Sequence, residues 1–149
     1  LFLHADSHIK PNSYQKMLDT MKNPKVIGGA FSLLIESSKW ALQIINQFAN
    51  LRSKYLGRAY GDQAFFVKKH IFQQMKGYTE FPICEDLDFY KRLKVFGSVV
   101  LLKEVVLTSP RRWVNDGIWL TTIKNIFIAT LFELGFPPRI LTKWYQAIR

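Results

Sequence analysis

With 149 residues, 48% hydrophobic and 21% charged, the chain has the size and composition of one globular domain, which excludes a disordered segment. Twenty-one Lys and Arg against eleven Asp and Glu leave a net charge of +10, so the surface should attract anions such as phosphates, nucleic acid or acidic lipid. The single Cys84 excludes an internal disulfide and suits a reducing compartment.

Leu1-Phe2-Leu3 runs into His4-Ala5-Asp6-Ser7, the pattern of a buried strand whose carboxyl end emerges into a site. Alternation along a strand puts His4 and Asp6 on one face, where the pair could hold a metal or a polar ligand. Because the chain starts directly in an apparent core strand, it reads as one joined in the middle. Lys10-Pro11-Asn12-Ser13 supplies a turn and an N-cap, and Tyr14, Met17, Leu18 and Met21 recur at helical spacing until Asn23-Pro24. Val26 to Ile35 reads as a strand whose Gly28-Gly29 is either a bulge or a place where something packs on bare backbone. A helix capped by Ser37 or Ser38 follows, with Ala41, Ile44, Ile45, Phe48, Leu51 and Tyr55 as its core-facing stripe and Gly57 as its end.

Gly61-Asp62-Gln63 leads into a short strand, Ala64 to Val67, and His70 to Met75 forms a helical turn or two closed by Gly77. The loop Phe81 to Cys84 delivers Glu85-Asp86-Leu87-Asp88 to a helix start, with Leu87, Tyr90, Leu93 and Phe96 on one side and Gly97 at the end. Val99 to Leu107 is a strand, and Thr108 to Trp113 a basic loop. An aromatic-rich helix spans about Gly117 to Leu134, and Gly135-Phe136-Pro137-Pro138 precedes a short basic tail with Trp144 and Tyr145. Strands alternating with helices argue for a sheet covered by helices in one domain: residues 1–110 as sheet and site, 111–149 as a basic, aromatic helical tail. No apolar run reaches the roughly 20 residues of a membrane-crossing helix. Ile118 to Leu134 comes nearest and is broken by Lys124 and Glu133.

Three carboxylates within four residues, Glu85, Asp86 and Asp88, have a plain reading as helix N-terminal charges that offset the dipole. Their chemical reading is that one is a general base for an attacking hydroxyl while another binds. Arg111-Arg112-Trp113 offers planar guanidinium forks for phosphate oxygens and a wall for a sugar or base, or a surface basic patch with a half-buried Trp. No zinc spacing, glycine-rich phosphate loop or nucleophilic triad occurs, and Cys84 beside Glu85 reads as packing.

Four motifs in order carry a resemblance: Leu1 to Ser7, Gly61 to Val67, Glu85 to Phe89, and Ser109 to Trp113. Together they resemble the carboxyl-terminal two-thirds of a family-2 glycosyltransferase, within which the chain looks most like the bacterial selenodomain- or radical-SAM-associated transferases. The resemblance implies an α/β fold: a GT-A-like mixed sheet flanked by helices, lacking the amino-terminal nucleotide-binding strand-helix units. It implies inverting transfer of a sugar from a nucleoside-diphosphate donor to an acceptor hydroxyl, assisted by Mg²⁺ or Mn²⁺. Asp6 corresponds to the last acid of the D-x-D metal motif. His4 stands in place of the first, so metal ligation is carried to Asp6 and His4 is left as a donor-side contact. Asp86 takes the place of the base in the family's E-D motif. Arg111 and Arg112 fall to the donor side, and Asp62, Gln63, Glu85 and Trp113 to the acceptor side. Ser109 occupies the Gln position of Q-x-x-R-W, which points to single transfer rather than polymer synthesis.

The same reading expects a cytoplasmic enzyme, with room for a lipid-linked acceptor and for peripheral contact with the inner face of the membrane. It also expects this stretch alone to be inactive and to bind a nucleoside diphosphate poorly. The alternative is a non-catalytic basic module for nucleic acid or an anionic membrane surface. For the membrane case, six basic residues against two acidic ones from Pro110 onward give a local charge of +4 beside many aromatics.

Overall fold

The computed structural model describes residues 1–147. Among them four strands form one mixed sheet in the order β1-β4-β2-β3, flanked by seven α-helices. The strands are β1 (Ser7–Ile9), β2 (Val26–Ile35), β3 (Phe65–Val67) and β4 (Ser98–Thr108). β2 and β4 run parallel as the central pair, while β1 and β3 are antiparallel edges. The helices are α1 (Pro11–Met21), α2 (Trp40–Leu56), α3 (Lys69–Gln74), α4 (Glu85–Phe96), α5 (Arg111–Asp116), α6 (Ile118–Glu133) and α7 (Pro138–Ala147).

Alternation along the strands divides the core between the two sheet faces. Phe66, Leu102 and Val106 join Met17 of α1 and Leu42 of α2 on one face. Phe65 and Val67, with Val99 and Leu101, turn to the other, against Phe89, Tyr90 and Leu93 of α4. A third cluster, Cys84, Leu87, Ile128, Ala129 and Leu141, ties α4 to α6 and α7. Of the two readings of the glycine pair, packing on bare backbone holds: a Cβ on Gly29 would collide with the Val100 carbonyl oxygen and the Phe66 ring. The pair itself stays in register with Val99 and Val100, and the irregularities of the β2–β4 pairing fall outside it, between Val26 and Gly28 and between Ala30 and Ser32.

Several expected elements differ. Leu1 to Leu3 is not a strand, because the Phe2 N–H to the Phe65 carbonyl at 2.7 Å is the one backbone bond tying it to the sheet, and a ladder needs more. The strand begins instead at Ser7, after a turn closed by the Ser7 N–H to the His4 carbonyl at 3.0 Å. Ser13 is not a cap: Pro11 opens α1, and Ser13 is buried inside it. The supposed basic loop after β4 becomes helical at Arg111, and the tail is helix α7, whose Leu141 is fully buried. Arg149 lies outside the described residues.

The largest departure is the orientation of α2. The expected core stripe is rotated: its Ala41 is buried and its Ile45 packs on the core, but Phe48 is 68% and Tyr55 70% exposed, while Leu42, Asn46, Ala49 and Ser53 face inward. The reason lies in β2. Its partner β3 covers only Gly28 to Ala30, so Phe31, Leu33 and Ile35 would leave backbone groups unpaired on that side. Side-chain amides substitute for the absent strand. Asn50 accepts from the Leu33 N–H at 2.7 Å and donates to its carbonyl at 3.0 Å. Asn46 accepts from the Ile35 N–H at 2.9 Å, and Gln63 donates to the Phe31 carbonyl at 3.1 Å. Satisfying buried backbone outweighed burying the bulkier face.

Candidate functional site

Between the turn at Tyr60 and Asp62 and the start of α4 on one side and α6 and α7 on the other lies a cavity of about 380 Å³. Its polar lining brings together His4, Asp62, Glu85, Asp86 and Arg112, with Tyr60, Asn125 and Tyr145. A second hollow of about 300 Å³ adjoins it, lined by Phe2, Leu3 and Tyr78, and shares His4, Glu85 and Asp86 with the first. Asp86 therefore borders both.

Asp86 is held from two directions. Its Oδ1 accepts the Leu87 N–H at 2.8 Å in the first turn of α4, and its Oδ2 accepts the Gly61 N–H at 2.6 Å. Each oxygen retains acceptor capacity for a further partner. A Cβ on Gly61 would crowd the site, standing 3.0 Å from His4 Nε2 and 3.1 Å from Asp86 Oδ2. The residue before α4, Cys84, has φ 63°, a left-handed conformation that costs a non-glycine residue on the order of 1 kcal/mol or more and aims Glu85 and Asp86 into the hollows. Burial, aided by Asp86 and Glu85, pushes the Cys84 thiol up to about 12, in keeping with a packing role.

Asp62 sits across from Asp86 in a single 3-10 turn, Gly61–Gln63. As a whole residue it is only partly covered, but its Oδ1 is shut off from solvent without a hydrogen-bond partner among the described residues. Burial pushes its carboxyl above the usual carboxylate range; Arg52 and His4 pull it down and Asp86 pushes it up. Tyr60 is perturbed similarly: burial raises its phenol, while the Arg52 guanidinium, 3.3 Å from the ring centroid, opposes the rise. Arg112 stands near Tyr145, its guanidinium carbon 5.5 Å from that ring's centroid, and Lys124 Nζ is 3.8 Å from the same centroid.

No family model, curated protein or solved structure matches this chain.

The glycosyltransferase reading therefore rests on the motifs and on this geometry. Of the residues singled out by sequence, His4, Asp62, Glu85, Asp86 and Arg112 meet at the cavity. The others lie elsewhere. Gln63 is fully buried and turned away: its Oε1 accepts from Ser53 Oγ at 2.7 Å and Arg52 Nη2 at 3.1 Å, so its amide is spent on structure rather than on an acceptor. Trp113, half-buried, packs against the core cluster built on β2, β4, α1 and α2 rather than lining the cavity. Arg111 is exposed outside the lining, and Asp6 is exposed on the His4–Ser7 turn, its carbonyl accepting the Ser109 N–H at 3.2 Å. Asp88, the third acid of the cluster, holds structure. It accepts from Arg92 Nε at 2.7 Å and Thr79 Oγ1 at 2.6 Å, and Arg92 in turn donates to the Met75 and Gly77 carbonyls.

Among the described residues no three His, Cys, Asp or Glu side chains form a metal cage. A hard Mg²⁺ or Mn²⁺ carried by a diphosphate needs only one or two carboxylates, and Asp6, exposed on the turn two residues after cavity-lining His4, lines neither hollow. Tyr60, Asn125 and Tyr145 were not legible as site residues. An aromatic or an amide at helical spacing carries no signal until packing brings it to a cavity wall.

Proposed function

We propose that the chain carries the catalytic part of an inverting, metal-assisted glycosyltransferase that uses a nucleoside-diphosphate sugar. The observation that carries the proposal is the position of Asp86, oriented by two backbone donors at the boundary of two adjoining hollows. Such a place suits a base that must reach an acceptor hydroxyl on one side and face the donor's anomeric carbon on the other.

In the proposed reaction the acceptor oxygen forms a bond to the anomeric carbon as Asp86 removes its proton. The bond from that carbon to the diphosphate breaks, and the nucleoside diphosphate leaves with the electron pair. Glu85 and Asp62 accept or share hydrogen bonds with the acceptor's other hydroxyls; Asp62, kept toward its neutral form by burial, can also donate. Arg112 offers a charged fork to phosphate oxygens. Asp6, with His4 beside it, would hold the divalent cation, whose contribution when bound is to offset charge on the departing diphosphate. Arg111 is assigned to the donor's periphery. A single buried free thiol accords with a cytoplasmic setting.

The test is a screen of nucleotide sugars with Mg²⁺ or Mn²⁺, on this chain and on a version carrying any residues that precede Leu1 in its gene. Asp86→Asn should lower kcat by about 100-fold or more with little change in donor affinity. Asp6→Ala should weaken donor binding only when the cation is present. Undiminished turnover by Asp86→Asn would remove the base assignment.

A further inference from the structure

The rotation of α2 leaves an unpartnered apolar face. On its outward side α2 carries Trp40, Phe48, Leu51 and Tyr55, and α6 carries Trp119, Ile123, Ile126 and Phe127, all exposed. The Trp40 and Trp119 rings are 6.1 Å apart, so the two stripes adjoin. This is a continuous apolar surface, unlike the scattered single residues normal on a soluble domain.

The helices that carry it are poor in acids: the α2 sequence contains none, Glu133, the acid of α6, is paired with Arg58 at 3.6 Å, and exposed Glu36 and Asp116 lie before the two helices. Lys39 precedes exposed Trp40, and Lys54 Nζ lies 5.1 Å from the centroid of the Tyr55 ring. Apolar and aromatic side chains rimmed by lysine match the boundary between acyl chains and acidic headgroups.

We propose that this face docks the protein on an anionic lipid bilayer, with α2 and α6 in the interfacial plane and the Trp and Tyr rings at headgroup level. Two copies placed face to face would bring positive rims together, which disfavours self-association. Nucleic acid would satisfy the charges but leave Ile123, Leu51 and Phe48 without apolar cover. The inference does not depend on the transferase reading, since it uses neither Asp86 nor the cavity. The two meet at α6, whose opposite side supplies Asn125, Ile128 and Ala129 to the cavity wall.

Flotation with phosphatidylcholine vesicles, with and without phosphatidylglycerol, tests it on the 149-residue chain. The protein should float with the anionic vesicles, and less as salt is added. Phe48→Ser combined with Ile123→Ser should weaken partitioning roughly tenfold or more, with thermal unfolding little changed because both residues are exposed. Lys39→Glu combined with Lys54→Glu should weaken binding to anionic vesicles without touching an apolar contact. Absence of flotation, equal binding to neutral vesicles, or undiminished binding by both double variants would overturn the proposal. So would a dimer in sedimentation equilibrium that Phe48→Ser with Ile123→Ser dissociates, which would give the face to a second copy.

Discussion

Asp62 occupies a place where ionisation is unfavourable, with one oxygen sealed from water and no hydrogen-bond partner. A carboxyl raised by burial binds its proton more tightly folded than unfolded. Its favourable contribution is therefore present below the ordinary value of 3.8 and is lost as pH rises through the folded value. Asp62→Asn should accordingly raise the melting temperature at neutral pH, and the gain should shrink as the pH approaches 4. A variant that melts lower than the parent at neutral pH would contradict this account. On the proposed glycosyltransferase reading, the same substitution should reduce transfer, because it replaces a titratable group assigned to the acceptor side. At this scale the carboxylates were legible in the sequence, since Asp and Glu at a helix start or a loop announce charge. Their division of labour was not: Asp86 faces two hollows while Asp88, two residues on, is consumed by Arg92 and Thr79.

Among the elements, α2 shows how a periodic pattern can name the right helix and only part of its inward face. Its stripe was real, but the backbone of β2 required amides, and Asn46, Asn50 and Ser53 lie on the opposite side. Asn50→Leu should cost about 2 to 4 kcal/mol, because it strands both the N–H and the carbonyl of Leu33. Phe48→Ser should fall within about 0.5 kcal/mol of the parent. Urea unfolding of the two variants checks the ordering, and a larger loss for Phe48→Ser would return the stripe to the core. Strand β2 and the ends of α2 and α4 agree with the sequence for local reasons, namely continuous apolar runs and glycines at Gly57 and Gly97.

Across the whole molecule, the cavity draws on His4, on Asp62, on the start of α4 and on α5 to α7, stretches far apart in the chain. The carboxyl-terminal helices form its wall, so residues 111–147 belong to the site rather than trailing from it. Leu141 of α7, fully buried against Leu87, Ile128 and Ala129, locks that wall in place. Leu141→Ala should destabilise by about 2 to 4 kcal/mol and should loosen Tyr145 from the cavity. Chemical unfolding and the KM for the acceptor measure the two effects, and an unchanged KM would separate the wall from binding. No helix among the described residues is long and apolar enough to cross a membrane.

The sequence by itself determined the alternation of strands and helices, the boundaries set by glycine and proline, and the residue types on which chemistry could rest. These are local properties, written in spacing and in backbone preference. Tertiary structure alone decided which face of α2 turns inward, which acids meet across a cavity, and that Gln63 and Trp113 serve the core. Those outcomes depend on backbone groups left unpaired by a distant strand and on helices that close over a site from the far end of the chain. The opening His4-Ala5-Asp6 motif belongs to both levels. Its residue types suggested a ligand site, and a turn rather than a strand places His4 on the cavity wall and leaves Asp6 exposed beside it.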